Sequence, residues 1–225
     1  MIEFEQAGFS YGDTAVLRDM TLTLAPGSFQ FLIGPSCAGK TTFLRLCYLD
    51  LAATTGTARY FGKEINPADR DAVAGLRRSV GVVHQDCQFL DHLPIVENIA
   101  LPLTVNGIDT AERADDLRAL LDWVDLTERV NALPPQLSGG ERQRAALARA
   151  VIQSPDVILA DEPTGNVDWD MAIRILSLLI ELNRMGKTVL IATHDLNLIR
   201  AAKARVQARV LRIAQGGIQL AGADL

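Results

Sequence analysis

The sequence predicts an α/β fold in which helices cover both faces of a parallel sheet. Three short, mainly apolar segments, at 29–33, 157–160 and 188–192, have the composition of strands that are buried on both faces. Each is followed by a segment with helical spacing of its apolar residues, at 40–51, 173–182 and 196–202. Strands that alternate with helices in this way form parallel sheets.

The remaining elements complete three blocks along the chain. The first residues have strand character, 20–24 alternates apolar and polar residues, and a Pro26-Gly27 turn precedes the strand at 29–33. Another strand is expected around 57–61. The middle block has helical patterns at 95–103, 111–124 and 140–152, interrupted by Pro102, Pro134, Pro135 and Pro155. We interpret this block as a helical lobe inserted between strands.

The composition is that of one compact domain. Of 225 residues, 48% are apolar and 22% are charged, which supplies a core and excludes disorder as the main state. The net charge is −5 and no dense basic tract is present, so nucleic acid is not an expected partner.

Cysteine usage and the N-terminal segment bear on the cell compartment. The three cysteines, Cys37, Cys47 and Cys87, form no metal-binding or disulfide pattern, which favours a reducing compartment. The first residues lack the basic and apolar regions of a signal peptide, and no apolar stretch reaches 18 residues. We therefore expect a cytoplasmic chain with no membrane span of its own.

A glycine-rich loop follows the strand at 29–33 and precedes the helix at 40–51. Its residues fit the pattern GxxxxGK[ST] and are Gly34, Pro35, Ser36, Cys37, Ala38, Gly39, Lys40 and Thr41. The glycines let backbone N–H groups and the helix N-terminus, including Thr42, face phosphates. We expect Lys40 to reach the β- and γ-phosphates and Thr41 to ligate Mg²⁺. The loop predicts a nucleoside triphosphate site.

Two carboxylates, Asp161 and Glu162, end the buried strand at 157–160. Ligands of open α/β sheets bind at the carboxyl ends of the strands. We expect Asp161 to hold the magnesium shell and Glu162 to polarise a water for in-line attack on the γ-phosphate.

A third motif, Leu137-Ser-Gly-Gly-Glu-Arg-Gln-Arg144, precedes a helix and then the acidic strand end. It resembles the signature of ABC ATPases, and the resemblance covers essentially the whole chain. Four further residues match that family's motifs in the same order. Tyr11 resembles the aromatic residue that stacks on adenine, Gln85 the glutamine loop, Asp168 the D-loop and His194 the switch histidine.

The resemblance implies both a fold and a ligand set. The fold is a P-loop NTPase (RecA-like) core with an antiparallel β subdomain, at 1–85 and 156–225, and an inserted α-helical subdomain at about 86–155. The ligands are ATP and Mg²⁺, with Gln85 contacting the γ-phosphate or the ion. Glu162, His194 and Gln85 are then the catalytic residues.

The signature also predicts an oligomer. Ser138, Gly139 and Gly140 form an anion site at a helix start, although the chain already has one phosphate loop. In the family, this second site binds the γ-phosphate of ATP held by another subunit. We therefore expect two copies to face head to tail in a C₂ homodimer around two ATP molecules.

The segment from Asp161 to Asp168 narrows the resemblance to a subgroup. It is similar to the DEPTGNLD run of the FtsE, LolD and MacB ATPases, with Val167 in place of leucine. Other features look most like FtsE, which implies an FtsX-like integral membrane partner, a role in cell division and a peripheral location at the inner face of the membrane. LolD-like lipoprotein release, MacB-like export, a soluble ATPase acting on nucleic acid or ribosomes, and a nucleotide-gated scaffold with little turnover are the alternatives.

Several residues have a second interpretation. Phe89, Leu90, Leu93 and Ile95 follow Gln85 and either contact the partner's cytoplasmic helix or pack inside the lobe. Cys37 stands where the family commonly has glycine, and its thiol is expected to be exposed and open to alkylation. His84 and His92 are interpreted as surface or lobe residues, and the basic stretch 200–212 as a solvated face.

Overall fold

The computed structural model describes residues 1–165 and 167–221. Asn166, within the predicted D-loop segment, and 222–225, within the predicted single domain, lie outside the described residues. The strands are β1 (Ile2–Tyr11), β2 (Thr14–Leu24), β3 (Phe29–Ile33), β4 (Thr55–Tyr60), β5 (Val80–Val83), β6 (Val157–Asp161), β7 (Thr188–Ala192), β8 (Ala208–Ala214) and β9 (Gly217–Leu220). The helices are α1 (Lys40–Cys47), α2 (Arg70–Arg78), α3 (Ile95–Val105), α4 (Ala114–Trp123), α5 (Gly139–Val151), α6 (Trp169–Arg184) and α7 (Leu196–Lys203). Short 3₁₀ turns lie at Thr110–Arg113, Thr127–Arg129 and Pro134–Gln136.

The larger sheet has six strands in the order β5-β6-β7-β3-β8-β9. All of its neighbours run parallel except β8 and β9, which form an antiparallel hairpin. The carboxyl ends of β3, β6 and β7 therefore meet at one edge of the sheet. The loops that follow these strands carry the phosphate loop, the acidic pair and His194.

A second sheet is antiparallel and has the order β2-β1-β4. It packs on the larger sheet through one of two cores, which also contains Phe4, Phe43 and Tyr60. Tyr60 donates its hydroxyl to the carbonyl of Leu46 at 2.8 Å, so the second sheet is fastened to α1. The expected antiparallel β layer beside a parallel core is confirmed.

The central strands have one core on each face. Phe29 and Phe31 of β3 lie in the core formed with helices α3 to α7, while Leu32 lies in the core shared with the second sheet. The same alternation divides Ile158 from Leu159 in β6. Burial on both faces explains why these strands are apolar at nearly every position, with Gln30 in β3 and Asp161 at the end of β6 as the exceptions.

The observed elements differ from expectation in three ways. The helix predicted at 40–51 ends at Cys47, because Leu49 has a left-handed φ of +54°. Helix α3 continues through Pro102, where the buried side chains of Ile99 and Leu103 hold the turns on either side. Four elements, α2, β5, β8 and β9, were not predicted from the pattern. In the described ranges, no helix is long and apolar enough to cross a membrane.

The apolar residues after Gln85 divide between the two interpretations. Ile95 is completely buried in the core, so the expectation that it is a surface contact for a partner is wrong. Phe89 packs against the same core, whereas Leu90 is 40% exposed. His84 lies directly after β5, half-buried, with its ring edge-on to Tyr48 at 6.3 Å.

Candidate nucleotide-binding site

The phosphate loop lies between β3 and α1, where the strand–loop–helix pattern predicts it. Gly39 is the N-cap of α1 with a φ of +103°, a conformation that disfavours residues with a side chain. A Cβ at this position would lie 2.9 Å from the Val16 side chain. The first intrahelical bond runs from Phe43 to the Gly39 carbonyl, so the N–H groups ahead of it are available to an anion.

Lys40 folds back over this loop. Its ammonium donates to the carbonyl oxygen of Gly34 at 2.9 Å and to that of Pro35 at 3.3 Å. It also lies 4.0 Å from a carboxylate oxygen of Glu162, and both side chains are about nine-tenths buried. The cation is thus held at the mouth of the loop, where phosphate oxygens would bind.

Thr41 and Asp161 form the predicted metal pair. The Thr41 hydroxyl donates to Asp161 Oδ2 at 2.6 Å, which joins the start of α1 to the end of β6. Burial raises the pKa of the Asp161 carboxyl, and the hydrogen bond from Thr41 opposes that rise. Within the described ranges no three His, Cys, Asp or Glu side chains form a metal centre. One hydroxyl and one carboxylate nevertheless fit Mg²⁺, which takes its remaining ligands from phosphates and water.

Glu162 and His194 are in direct contact. His194 Nδ1 lies 2.9 Å from Glu162 Oε1, although the two residues follow different strands, β6 and β7. The Glu162 backbone has a φ of +45° and donates its N–H to the carbonyl of Ala192. A left-handed non-glycine residue is strained, and such strain concentrates at functional sites. The carboxylate is therefore fixed by main chain and side chain together.

These groups line one open cleft of about 490 Å³. Tyr11 forms one of its walls, 47% exposed and edge-on to Phe9 at 4.8 Å, and Gln85 forms another. The predicted residues in this cleft are Tyr11, Ser36, Cys37, Gly39, Lys40, Thr41, Thr42, Gln85, Asp161, Glu162 and His194. Gly34, Pro35 and Ala38 line a neighbouring cavity of about 780 Å³ behind the loop.

The signature residues lie outside the cleft. Ser138 is the N-cap of α5: its hydroxyl accepts from the Glu141 N–H at 3.2 Å, and its own N–H donates to the Glu141 carboxylate at 2.8 Å. Gly139 and Gly140 form the first turn. Asp168 caps α6 by accepting from the Met171 N–H at 2.9 Å. Within one chain, the signature residues are therefore separate from the cleft of the phosphate loop.

Sequence reasoning missed two residues that line the cleft, Val16 and Gly165. Val16 reaches the site because the β1–β2 hairpin pairs Tyr11 with Thr14, which brings β2 alongside the phosphate loop. The hairpin spacing would have identified Val16. Gly165 lies in the predicted D-loop segment that follows Glu162, so its place in the chain was a signal.

Comparison with known proteins agrees with this geometry. A family model described as ABC transporter matches residues 17–165. The cell division ATP-binding protein FtsE of Haemophilus influenzae is 42% identical over 202 residues, which cover 89% of this chain and 93% of that protein. FtsE of Bacillus subtilis is 36% identical over 92% of this chain and 91% of its own length, and FtsE of Escherichia coli K12 is 40% identical over 96% of both.

A solved structure matches over nearly the full length. The ATP-binding cassette MJ0796, in a dimeric post-hydrolysis state bound to ADP and Pi, has a TM-score of 0.86 and 30% identity over 97% of each chain. The family model spans more than half of this chain, and the FtsE relatives span most of it. The chain therefore belongs to the ABC transporter family of ATP-hydrolysing cassettes and, within it, to the cell division ATP-binding proteins of the FtsE type.

Proposed function

We propose that this chain binds Mg-ATP in the cleft and works as a homodimer that drives an FtsX-like integral membrane protein in cell division. The constellation Thr41–Asp161–Glu162–His194 supports the proposal most strongly, because four side chains from the start of α1, the end of β6 and the turn after β7 converge beside one phosphate loop. The FtsE relatives, named as cell division ATP-binding proteins, support the cellular role.

Each residue of the cleft has a task in this proposal. The N–H groups of the loop and Lys40 hold the phosphates, and Tyr11 stacks on the adenine. Thr41, Asp161 and Gln85 are the residues that would hold Mg²⁺, which would supply neutralisation of the phosphate charge.

Glu162 orients and deprotonates the attacking water, since its carboxylate is held at the carboxyl edge of the sheet. His194, in contact with that carboxylate at 2.9 Å, fixes its orientation and reports the state of the γ-phosphate to β7. Lys40 lies close enough to Glu162 to stabilise the carboxylate charge when no nucleotide is bound. When nucleotide binds, its phosphates replace Glu162 as the anionic partner of Lys40.

The separation of the signature from the cleft supports the homodimer. Ser138, Gly139 and Gly140 would complete the site of a second copy by contacting its γ-phosphate, with Asp168 close to the contact between copies. MJ0796, to which this chain is similar, has been solved as a dimer.

The membrane partner is proposed to dock beside the segment that follows Gln85. We propose that 86–155 acts as the helical lobe of a single ABC ATPase domain, with the core and β subdomain at 1–85 and 156–225. A change in the angle of the lobe would then be passed to the partner. The chain would lie in the cytoplasm at the inner face of the membrane, held there by that partner.

Glu162→Gln tests the hydrolytic role. We expect the ATPase rate to fall by about 10²- to 10⁴-fold, with ATP binding retained, because the amide keeps the shape of the side chain and cannot take a proton. Glu128→Gln, an exposed glutamate in a 3₁₀ turn, is the matched control. A rate in Glu162→Gln equal to that of the control would reject Glu162 as the base. The same variant should form an ATP-dependent dimer in sedimentation velocity, and a strictly monomeric ATP-bound form would reject the homodimer.

Leu90→Glu tests the partner site. Co-expression with an FtsX-like membrane protein should show copurification with the unmodified chain and its loss with Leu90→Glu, while ATP binding stays unchanged. Leu220→Glu, at another exposed apolar position, on β9, is the control. Copurification that survives Leu90→Glu would place the contact elsewhere.

A further inference from the structure

The segment 85–90, between β5 and α3, is held by side chains of α5 through its backbone. Gln143 donates to the Gln85 carbonyl at 3.3 Å. Arg149 donates to two further carbonyls, with Nη1 on Gln88 at 2.7 Å and Nη2 on Cys87. Three of the first four carbonyls of this segment are therefore bound to one helix.

The hydrogen bonds of Arg149 in the described part of the chain are made with segment 85–90. Its guanidinium lies over the Phe89 ring, 4.7 Å from the ring centre, and burial lowers its pKa. Among the ion pairs formed in the described part of the chain, it has no carboxylate partner. Arg144, on the same helix, is more deeply buried and is paired with Asp125 at 3.0 Å. The position of Arg149 is thus explained by the carbonyls and the ring of segment 85–90.

The segment lies outside the helices and strands, and short backbone turns and side chains of α3 and α5 hold its shape. Cys87 and Gln88 are consecutive non-glycine residues with φ values of +57° and +48°. Such a conformation persists only when surrounding groups hold it. The planar guanidinium of Arg149 holds the conformation by donating to two successive carbonyls at once. A lysine ammonium is a compact charge without this fixed pair of donors, so it would not hold both carbonyls in one arrangement.

Helix α5 connects segment 85–90, which begins at the nucleotide cleft, with the signature residue Ser138. Arg149 lies in its last turn, and Ser138 caps its first. Eleven residues separate them, which at 1.5 Å per residue is about 16 Å of rigid helix. Gln85, at the other end of the clamped segment, lines the nucleotide cleft. A displacement of Gln85 therefore has a continuous path, through carbonyls and a guanidinium, to the serine of the signature.

We propose that Arg149 is a positioning residue that couples the occupancy of the cleft to the placement of Ser138. The inference rests on the proposed roles of Gln85 and Ser138 in the dimer. When Gln85 follows bound nucleotide, the carbonyls of residues 87 and 88 carry α5 with them, and the chain presents its signature to the second copy.

The first test compares Arg149→Met, Arg149→Lys and Arg144→Met in a Glu162→Gln background, with ATP-dependent dimerisation measured by sedimentation velocity. Arg149→Met keeps a long apolar stem without donors and should weaken the dimer by about 5- to 150-fold. Arg149→Lys restores one donor and should give an intermediate value. Arg144 lies on the same helix but bonds the turn after α4. Arg144→Met loosens that turn and should leave the dimer dissociation constant within twofold of the parent value.

The second measurement separates coupling from plain stability. Hydrogen exchange of the amides in 85–90 and 139–142 is followed with and without ATP. In the parent, ATP should slow exchange in both segments. In Arg149→Met, the slowing in 85–90 should remain and the slowing in 139–142 should shrink, because two of the three bonds from α5 to the segment are lost and only that of Gln143 remains.

Each outcome decides a different point. Equal ATP responses of 139–142 in the parent and in Arg149→Met would overturn the inference, as would a dimer constant that falls equally in Arg144→Met. If the Glu162→Gln parent itself forms no dimer with ATP, the proposed function fails instead. A loss of ATP binding in Arg149→Met, measured on the monomer, would assign the residue to the fold and reject its coupling role.

Discussion

Ser138 has two separable tasks, and two substitutions distinguish them. In the structure, its hydroxyl caps α5 by accepting from the Glu141 N–H at 3.2 Å. Ser138→Ala removes that cap at a cost of about 1 kcal/mol, whereas glycine at an N-cap costs only a few tenths. For a chain of this size, the melting temperature should fall by about 2–4 °C in Ser138→Ala and by about 1 °C in Ser138→Gly.

The proposed second task predicts a different ranking. Both substitutions remove the hydroxyl that would bind a γ-phosphate, and a hydrogen bond to a charged group contributes about 1.5–3 kcal/mol. In a Glu162→Gln background, each variant should therefore weaken ATP-dependent dimerisation by about 10- to 150-fold. Thermal melts and sedimentation velocity on the same samples measure the two effects. Ser177→Ala, in the middle of α6, is the control for loss of a serine hydroxyl.

The reasoning fails if the dimer constants follow the melting temperatures. In that case Ser138→Gly would dimerise nearly as well as the parent, and the residue would act only as a helix cap. An unchanged dimer in both variants would likewise remove Ser138 from the interface.

Three further predictions follow from the geometry. Gly81→Ala should lower the free energy of unfolding in urea by about 1–3 kcal/mol or more, since the new Cβ would overlap the backbone carbonyl oxygen of Ala150; an unchanged urea midpoint would contradict it. The Glu141 carboxyl has a lowered pKa because it accepts a hydrogen bond from the Ser138 N–H. The ionised carboxylate should therefore add fully to the free energy of unfolding above its unfolded-state pKa of about 4.3, and this stabilisation should be lost as the pH falls through the lower pKa of the folded state. Comparing wild type with Glu141→Gln by denaturation across pH 2–6 checks this, and a difference that persists at the lowest pH would refute it. N-ethylmaleimide should label exposed Cys37 and spare the two buried cysteines in the native chain, with ATP slowing the reaction; mass spectrometry of digests identifies the labelled thiol, and equal labelling of all three would refute the expected exposure.

The sequence was most informative where burial acts on both faces of an element. The strands at Phe29–Ile33 and Thr188–Ala192 have the predicted bounds, because a doubly covered strand is mainly apolar and each of these has a single polar residue. Helix α2 escaped notice because only Leu76 is buried, so no apolar stripe marks it. Strand β5 has four residues, including a glycine, which is too short for a periodic signal.

The site was predictable to the extent that its residues follow strand ends. The phosphate loop, the acidic pair and His194 each come directly after a parallel strand, and the structure brings them together. The links from α5 to segment 85–90 could not be found this way. Gln143 and Arg149 bind backbone carbonyls, which every residue has, so no residue type at the receiving end reveals the contact.

The first turns of α5 and α6 meet where Gly140 faces the side chain of Met171. A Cβ at Gly140 would lie 2.8 Å from Met171 Cγ, so a bare backbone faces an unbranched thioether. Glycine offers nothing to interlock with, and methionine reshapes itself through three rotatable bonds at little cost. Each helix is locked internally by its own polar cap, at Ser138 and Asp168. A small shift of one helix start relative to the other would therefore cost little packing energy, while each helix keeps its own shape.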